Sequence, residues 1–399
     1  MTNREEASAE PASFSFPLEP FGITRVGDLT SLDTIGIPVW FAVRPNSRTL
    51  SVSQGKGLTH EQARISAIME SVEGAVAQQT RPLINTFGSL RQMMERGAPI
   101  IPLRNMSRCK FTSLDLGKER AWVPGFDQET GETVLAPYEL VGLDMRSSFP
   151  WDYRGFKVCS NGLAAGPSLS FAALAALLEL IERHANSLVE LIGVNSIYAR
   201  PLRYEPDLHQ GLDEAVGKVR AAGLEPRFFE LACDIALPVV AAVVTRPVLG
   251  GSGGGERLSG GHACRLDAGD AALAALLEAV QSRLTNISGA RDDMDASQYE
   301  VAPSVDLPVK DGAPLLSSCM KKYARNMSLT KDEQLSVVIK ELCKSGYGKI
   351  FFFDLPTGVA GVHVVRALVP RLKVAFEDDI SQFQADDIDT LLRGWSSRL

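Results

Sequence analysis

Three stretches, SAIMESVEG at residues 66–74, LAALLELIER at 174–183 and LAALLEAVQSR at 273–283, decide how this 399-residue chain is read. In each, small and aliphatic residues surround a glutamate, and a second polar residue follows three positions on: Glu70 with Glu73, Glu179 with Glu182, Glu278 with Gln281. Residues three or four apart share one face of a helix, so Ser66, Glu70 and Glu73 project together, as do Glu179, Glu182 and Arg183. Glu179 stands among Leu174, Leu177, Leu178, Leu180 and Ile181. A carboxylate there is costly unless a cation or a donor meets it. Three such helices around one cleft would gather the hard oxygen ligands that magnesium and a polyphosphate need, with Arg183 to hold phosphate oxygens. Solvated glutamates on three separate amphipathic helices are the alternative, and spacing alone leaves convergence open.

Working outward, Thr59 and Gln62 form a capping-box pair, and Ile65, Met69, Val72 and Val76 make an apolar stripe, so a helix is expected over residues 60–79. Strands are expected before it at 37–42 and 49–53, with Gly55, Lys56 and Gly57 as a tight connection. Ser168 or Ser170 caps the second helix, which ends near Ile192, and the third spans 271–288. Further strands are expected at 133–136, after a turn at 128–132, and at 157–159, 350–353 and 362–368, with a helix at 335–343. A mixed stretch, with a buried strand at 237–244, separates the second and third helices. Interleaved strands and helices make the fold class α/β (α+β) with mixed sheets.

Lys and Arg number 41 against 48 Asp and Glu, a net charge of -7 that argues against a general nucleic-acid binder. The cysteines are scattered, with no CxxC pair, which points to reduced thiols and a cytoplasmic protein. Five histidines show no zinc-binding spacing. The first residues, with Arg4, Glu5, Glu6 and Glu10, lack the apolar run of a signal peptide, and no run approaches the roughly 18 apolar residues of a membrane span. Gly250 to Gly255 form a glycine-rich loop without the Lys-Ser/Thr ending of a P-loop. Asp378, Asp379, Asp386, Asp387 and Asp389 read as a solvated face.

Beyond these local signals, the chain resembles proteins of the YcaO-domain family. Residues 22–73 are similar to the opening of that domain, and SNGLAAG at 160–166, LLELIER at 177–183 and EAVQSRLTNISGARDD at 278–293 follow in the family's order. The likeness covers about residues 20–375 and is nearest to the branch encoded beside TfuA-like proteins. It implies an α/β YcaO-like domain at 19–375, between a flexible tail at 1–18 and an acidic segment at 376–399 packed on or extending the domain. Its glutamate-bearing helices would form a nucleotide cleft that is not a P-loop, with ATP and Mg2+ as cofactors. Position by position, Ser66, Glu70 and Glu73 match the first nucleotide and magnesium motif, and Glu179 and Arg183 end the second, with Glu182 between them. Glu278 and Gln281 fall in the third acidic segment. The metal ligands so implied are Glu70, Glu73 and Glu179, with Arg183 on phosphate. The second motif normally opens with an asparagine and a glutamate four residues on; here Pro167 and Phe171 stand in those places. Neither side chain supplies an oxygen to magnesium or a hydrogen bond to phosphate.

The resemblance further implies ATP-dependent activation of a peptide backbone amide oxygen. Thioamide formation with a TfuA-like partner, in ribosomal peptide modification, is the expected form. An azoline-forming relative would often carry a proline-rich end, where this sequence has Gly394, Trp395, Ser396, Ser397, Arg398 and Leu399. Pro167 and Phe171 motivate the alternative, a non-catalytic or ATP-independent component that presents a precursor peptide. A peptide substrate and a homodimer are expected, with no nucleic acid and no membrane. Cys159 and Cys264 flank glycine-rich stretches and are either sulfur carriers or small buried apolar groups. No residue stands out as general base.

Overall fold

The computed structural model describes residues 16–103, 106, 114–146, 152, 155–192, 199–245, 259–294, 312–324 and 328–373. The chain opens with β1 (Arg25–Asp28), β2 (Val39–Val43), β3 (Val52–Lys56) and α1 (His60–Ala77). Next come β4 (Thr86–Ser89), α2 (Leu90–Glu95), β5 (Glu119–Asp127), β6 (Thr133–Pro137), α3 (Tyr138–Val141), β7 (Leu163–Gly166) and α4 (Leu169–Ile192). The mixed stretch that follows resolves into β8 (Ala199–Leu202), α5 (Gln210–Ala221), β9 (Glu225–Leu231), β10 (Val239–Thr245) and β11 (Ser259–Cys264), ahead of α6 (Ala268–Ser288). Then come α7 (Leu316–Lys322), α8 (Lys331–Lys344), β12 (Phe351–Leu355) and β13 (His363–Leu368).

The strands form three antiparallel sheets, ordered β1-β2-β3, β11-β10-β9-β8 and β4-β5-β12-β13-β7, with β6 also paired to β5. Side chains alternate across a strand, and here the alternation divides the core. In β10, Val239 and Ala241 enter a cluster with α4, whereas Val240, Ala242 and Val244 join one with α6. In β13, Val365 and Ala367 face α4 while Val364 and Leu368 share a cluster with α1. Each sheet therefore needs a helix on each covered face. Helix α1 rests on β2 and β3 and reaches β7; α4 packs on β7 and β13 and also on β11; α6 covers β10 and β11 and touches β3. The three glutamate helices thus link the three sheets pairwise and close a ring around a central space.

Two glycines set how tightly that ring closes. A methyl on Gly55 of β3 would lie 2.0 Å from the Ala67 amide nitrogen of α1, and one on Gly261 of β11 would lie 2.4 Å from the Ala275 carbonyl oxygen of α6. Backbone atoms have no rotamer to escape into, so Gly55→Ala and Gly261→Ala should each cost at least about 1–3 kcal/mol. Gly217→Ala, in α5 with nothing near its added methyl, should instead gain about 0.5–1 kcal/mol. Guanidinium chloride midpoints test this, and unchanged midpoints for Gly55→Ala and Gly261→Ala would exclude the close approach.

Several boundaries differ from expectation. Gly55 and Lys56 are not a connection but part of the ladder, opposite Trp40 and Val39, because β3 starts three residues later than expected. Residues 157–159 are not a strand; the ladder with β13 starts at Leu163, and Arg366 holds the carbonyl of Cys159 instead. Asp267 caps α6 and starts it earlier than 271, and a Thr330–Glu333 capping box does the same for α8. Ser168, rather than Ser170, accepts the Phe171 amide at the start of α4. At the front of the described chain, Phe16 meets Phe21 edge-on, and Leu18 packs in the same cluster. Residues 250–255 and 378–389 lie outside the described residues. Among the described residues, no helix is long and apolar enough to cross a membrane, and no cysteine is in a disulfide.

Candidate functional site

Helix α1 buries Ala67, Ile68, Val72 and Val76, which turns Ser66, Glu70 and Glu73 towards the central space. Helix α4 lies between two sheets and is buried along most of its length, leaving Glu179 and Arg183 partly open and Glu182 only 6% exposed. Helix α6 buries Ala275, Leu276, Ala279 and Val280 and presents Glu278 and Gln281. Ser66, Glu70, Glu73, Glu179, Glu182, Arg183, Glu278 and Gln281 all line one cavity of about 1210 Å³. The helices expected from sequence do converge.

Backbone donors and cations hold these carboxylates. Glu73 Oε1 accepts the Ala165 N–H at 2.8 Å and Glu179 Oε2 the Gly162 N–H at 3.1 Å, so β7 and the turn before it orient one acid from each of two helices. Arg183 lies 3.6 Å from Glu179 and 3.7 Å from Glu182. Lys56 Nζ donates to Glu278 Oε2 at 3.1 Å. Gln281 Nε2 donates to the Gln54 carbonyl at 3.4 Å, tying α6 to β3.

The acids differ in how readily they ionise. Burial pushes Glu73 well above the usual carboxylate range, and the neighbouring Glu70 and Glu179 push it further. Burial also raises Glu70, against the pull of Arg291 and Lys56, and raises Glu179 against Arg183. Glu182 is raised to about 8 by burial and then by Glu278. Glu278 is itself buried, yet Lys56 and Arg183 outweigh burial and hold it low. Glu70 nevertheless has an exposed side chain: protein surrounds it at longer range while it lines the open cavity. That opening tempers the size of its shift without reversing its direction.

Among the described residues, no three acidic, histidine or cysteine side chains converge on a single point as a preformed metal cage would. The carboxylates instead stand at separate places around the cavity, on three different helices. That suits magnesium, which keeps waters and takes only one or two carboxylates alongside phosphate oxygens. The donor set of Glu70, Glu73 and Glu179 fits hard cations, and Arg183 and Lys56 bring positive charge to the same cavity. Protons held on the raised acids are what a cation would displace.

Some functional positions departed from the sequence reading or escaped it. Phe171 does line the cavity, with the Lys331 ammonium 5.6 Å from its ring centre, so an aromatic face takes the place expected of a polar ligand. Pro167 is exposed in the bend before α4 and is not among the residues that line the cavity. Cys159 lines the cavity, but Cys264 is fully buried and is a core residue. Lys56, Arg291 and Arg366 were not anticipated. Arg366 carried one local signal, a charge inside the apolar strand HVVRAL; Lys56 and Arg291 carried none.

Residues 54–373 match the family described as YcaO cyclodehydratase, ATP- and Mg2+-binding. The chain belongs to the YcaO family. It is 33% identical over 383 residues to a protein encoded in the tfuA 3' region of Rhizobium leguminosarum bv. trifolii, covering 94% of this chain and 89% of that one. A protein of Methanothermobacter thermautotrophicus is 30% identical, with 91% and 92% covered. The YcaO fold is seen in a heterocyclase solved with substrate and cofactor, at TM-score 0.72 and 19% identity over 88% of this chain; the match spans half (50%) of that longer protein. It is also seen in YcaO from Methanopyrus kandleri bound with AMPPCP and Mg2+, at TM-score 0.63 and 22% identity, with 89% and 87% covered.

A pH dependence follows from the raised acids. A glutamate whose pKa is higher folded than unfolded binds more protons in the folded state. Its stabilising contribution is full below the unfolded value and is lost as pH rises through the folded one. For Glu182 that window runs from 4.5 to about 8, and Glu70, Glu73 and Glu179 act in the same direction. The ligand-free protein should therefore melt a few degrees lower at pH 8 than at pH 6, and Glu182→Gln should flatten that slope. A melting temperature that is flat or rising over this range in the parent chain would refute the assignment.

Proposed function

We propose that this chain is an ATP- and magnesium-dependent enzyme that activates a peptide backbone amide oxygen, forming a thioamide together with a TfuA-like partner in ribosomal peptide modification. The observation that carries the reading is the convergence of Glu70, Glu73, Glu179 and Arg183 from two helices, with Glu278 from a third, on one cavity. Support for the nucleotide comes from the Methanopyrus relative, bound with AMPPCP and Mg2+; support for the partner comes from the tfuA neighbourhood of the Rhizobium relative.

Magnesium ATP, when bound, supplies the phosphoryl group that makes an amide oxygen able to leave once a sulfur nucleophile has added. Glu70, Glu73 and Glu179 would hold magnesium, with no more than one or two of them on any one ion. Arg183 steadies phosphate, and Ser66 offers a hydroxyl to phosphate or to a metal-bound water. Lys56 keeps Glu278 ionised, and Gln281 braces α6 against β3. The peptide substrate enters the same cavity. We read the working form as a cytoplasmic homodimer; a monomer mass by light scattering at micromolar protein would count against the dimer.

Calorimetric titration with ATP and magnesium, followed by phosphate release with and without peptide, tests the enzyme reading. Binding, with release stimulated by peptide, is expected. Absence of binding at 1 mM nucleotide (about -4.1 kcal/mol) would overturn it. The second reading, a peptide-presenting component without ATP use, is favoured by one observation, the apolar ring of Phe171 on the cavity wall. It predicts peptide binding with no nucleotide binding at all.

A further inference from the structure

Arg44 follows β2, and its backbone N–H donates to the Ser51 carbonyl at 2.8 Å, closing the hairpin into β3. Its side chain is only 3% exposed. It lies against α1 where Gly74 has no side chain: a methyl there would be 2.5 Å from Arg44 Nη2. The guanidinium Nε and Nη1 have no hydrogen-bond partner, and Nη2 makes one long contact, 3.5 Å, to the Leu50 carbonyl. The nearby Arg48 differs, since it is bonded to the Gln78 carbonyl at 2.9 Å and paired with Asp144. Burial draws the pKa of Arg44 down to about 10, and no carboxylate offsets it. A buried cation without a counter-charge is costly, and an unsatisfied buried donor calls for a missing partner.

The position of Arg44 indicates what that partner is. Arg44 lines both the main cavity and a second one of about 350 Å³ beside it. Thr49 Oγ1 lies beside the same point of α1 and lines the main cavity as a hydroxyl donor for the same ligand, whereas Ser47 Oγ already donates to Gln78 Oε1 at 3.3 Å. Of the acids, Glu19 lines the second cavity and Glu73 precedes Gly74 on α1, but neither pairs with Arg44 among the described residues. A planar fork with two unused donors beside a hydroxyl matches a tetrahedral oxyanion.

We propose that Arg44 marks a binding site for a small oxyanion of the phosphate class where the two cavities meet. The site deepens the nucleotide reading, because it lies one residue along α1 from Glu73, and it takes either free orthophosphate or the terminal phosphate of a nucleotide. The test uses the full chain and orthophosphate alone, so that its failure leaves the magnesium site standing. At constant ionic strength, about 10 mM orthophosphate in place of chloride should raise the melting temperature by mass action. Arg44→Met should abolish the shift, and Arg44→Lys, which keeps the charge and loses the fork, should weaken phosphate binding roughly tenfold. If Arg44→Met folds poorly, Gly74→Ala serves instead, since its methyl displaces the guanidinium without removing the charge; it too should lose the shift. No shift in the parent chain, or an equal shift in parent and variants, overturns the site. Repeating the titration with AMPPCP and magnesium bound names the occupant: phosphate that still binds is free orthophosphate, and phosphate that is excluded marks the nucleotide's own terminal group. Either result supports the site.

Discussion

Glu70→Gln and Glu179→Gln should fold as the parent chain does and lose most of the thermal stabilisation that magnesium ATP confers. Both side chains line the cavity and come from different helices, so under the proposed function each would contribute a separate oxygen to the metal. Loss of one carboxylate leaves the polyphosphate charge less compensated, and losses of comparable kind lower metal affinity by about 10–100-fold. Without ligand the variants should melt slightly higher, because burial, and after it Glu278, already raises the cost of ionising both Glu70 and Glu179. Asp354→Asn, on an exposed position of β12, should keep the full ligand-induced shift. The measurement is a thermal shift series with and without magnesium ATP. Full parental shifts in both glutamate variants would show that the three-helix cleft is not the nucleotide site.

Arg366→Met should be among the most destabilising single changes, at about 3–5 kcal/mol. This guanidinium is 1% exposed. It donates to three backbone carbonyls, of Val141 at 3.1 Å, Asn161 at 2.7 Å and Cys159 at 2.6 Å. Its removal strands three buried acceptors at once, each worth about 1–3 kcal/mol when unsatisfied. It also removes a positive charge that favours ionised Glu73 and Glu179, so magnesium should bind more weakly at neutral pH. Arg366→Lys should recover little, because one ammonium cannot reach three carbonyls spread over a planar fork. Guanidinium chloride unfolding tests the first effect. A loss below about 1 kcal/mol would mean that the segment before β7 is held by something else.

The three glutamate helices were legible because a helix is a local object. Period, caps and neighbouring apolar residues lie within a few positions of one another, so Thr59 with Gln62 and the Glu70–Glu73 spacing could be read without any partner. The same local logic found the strands at 237–244 and 362–368. Edges were less legible. Where β3 begins and why 157–159 is no strand depend on which residues of β2 and β13 lie opposite, and a ladder is a contract between segments distant in sequence.

The sequence by itself determined the α/β class, the eight candidate site residues on three helices and the family likeness, since each rests on residue type at short or ordered spacing. Only the tertiary structure decided that three helices bridge three sheets into one ring, with Gly55 and Gly261 allowing the approach. It also decided that Lys56 would neutralise Glu278, that Arg366 would stand beneath Glu73 and Glu179, and that Arg44 would be left without a counter-charge beside Gly74. Electrostatic partners are chosen by distance in space, and Lys56 and Glu278 are brought to 3.1 Å from far apart in the chain. No pattern along the sequence encodes that meeting; the packing of β3 and α6 creates it.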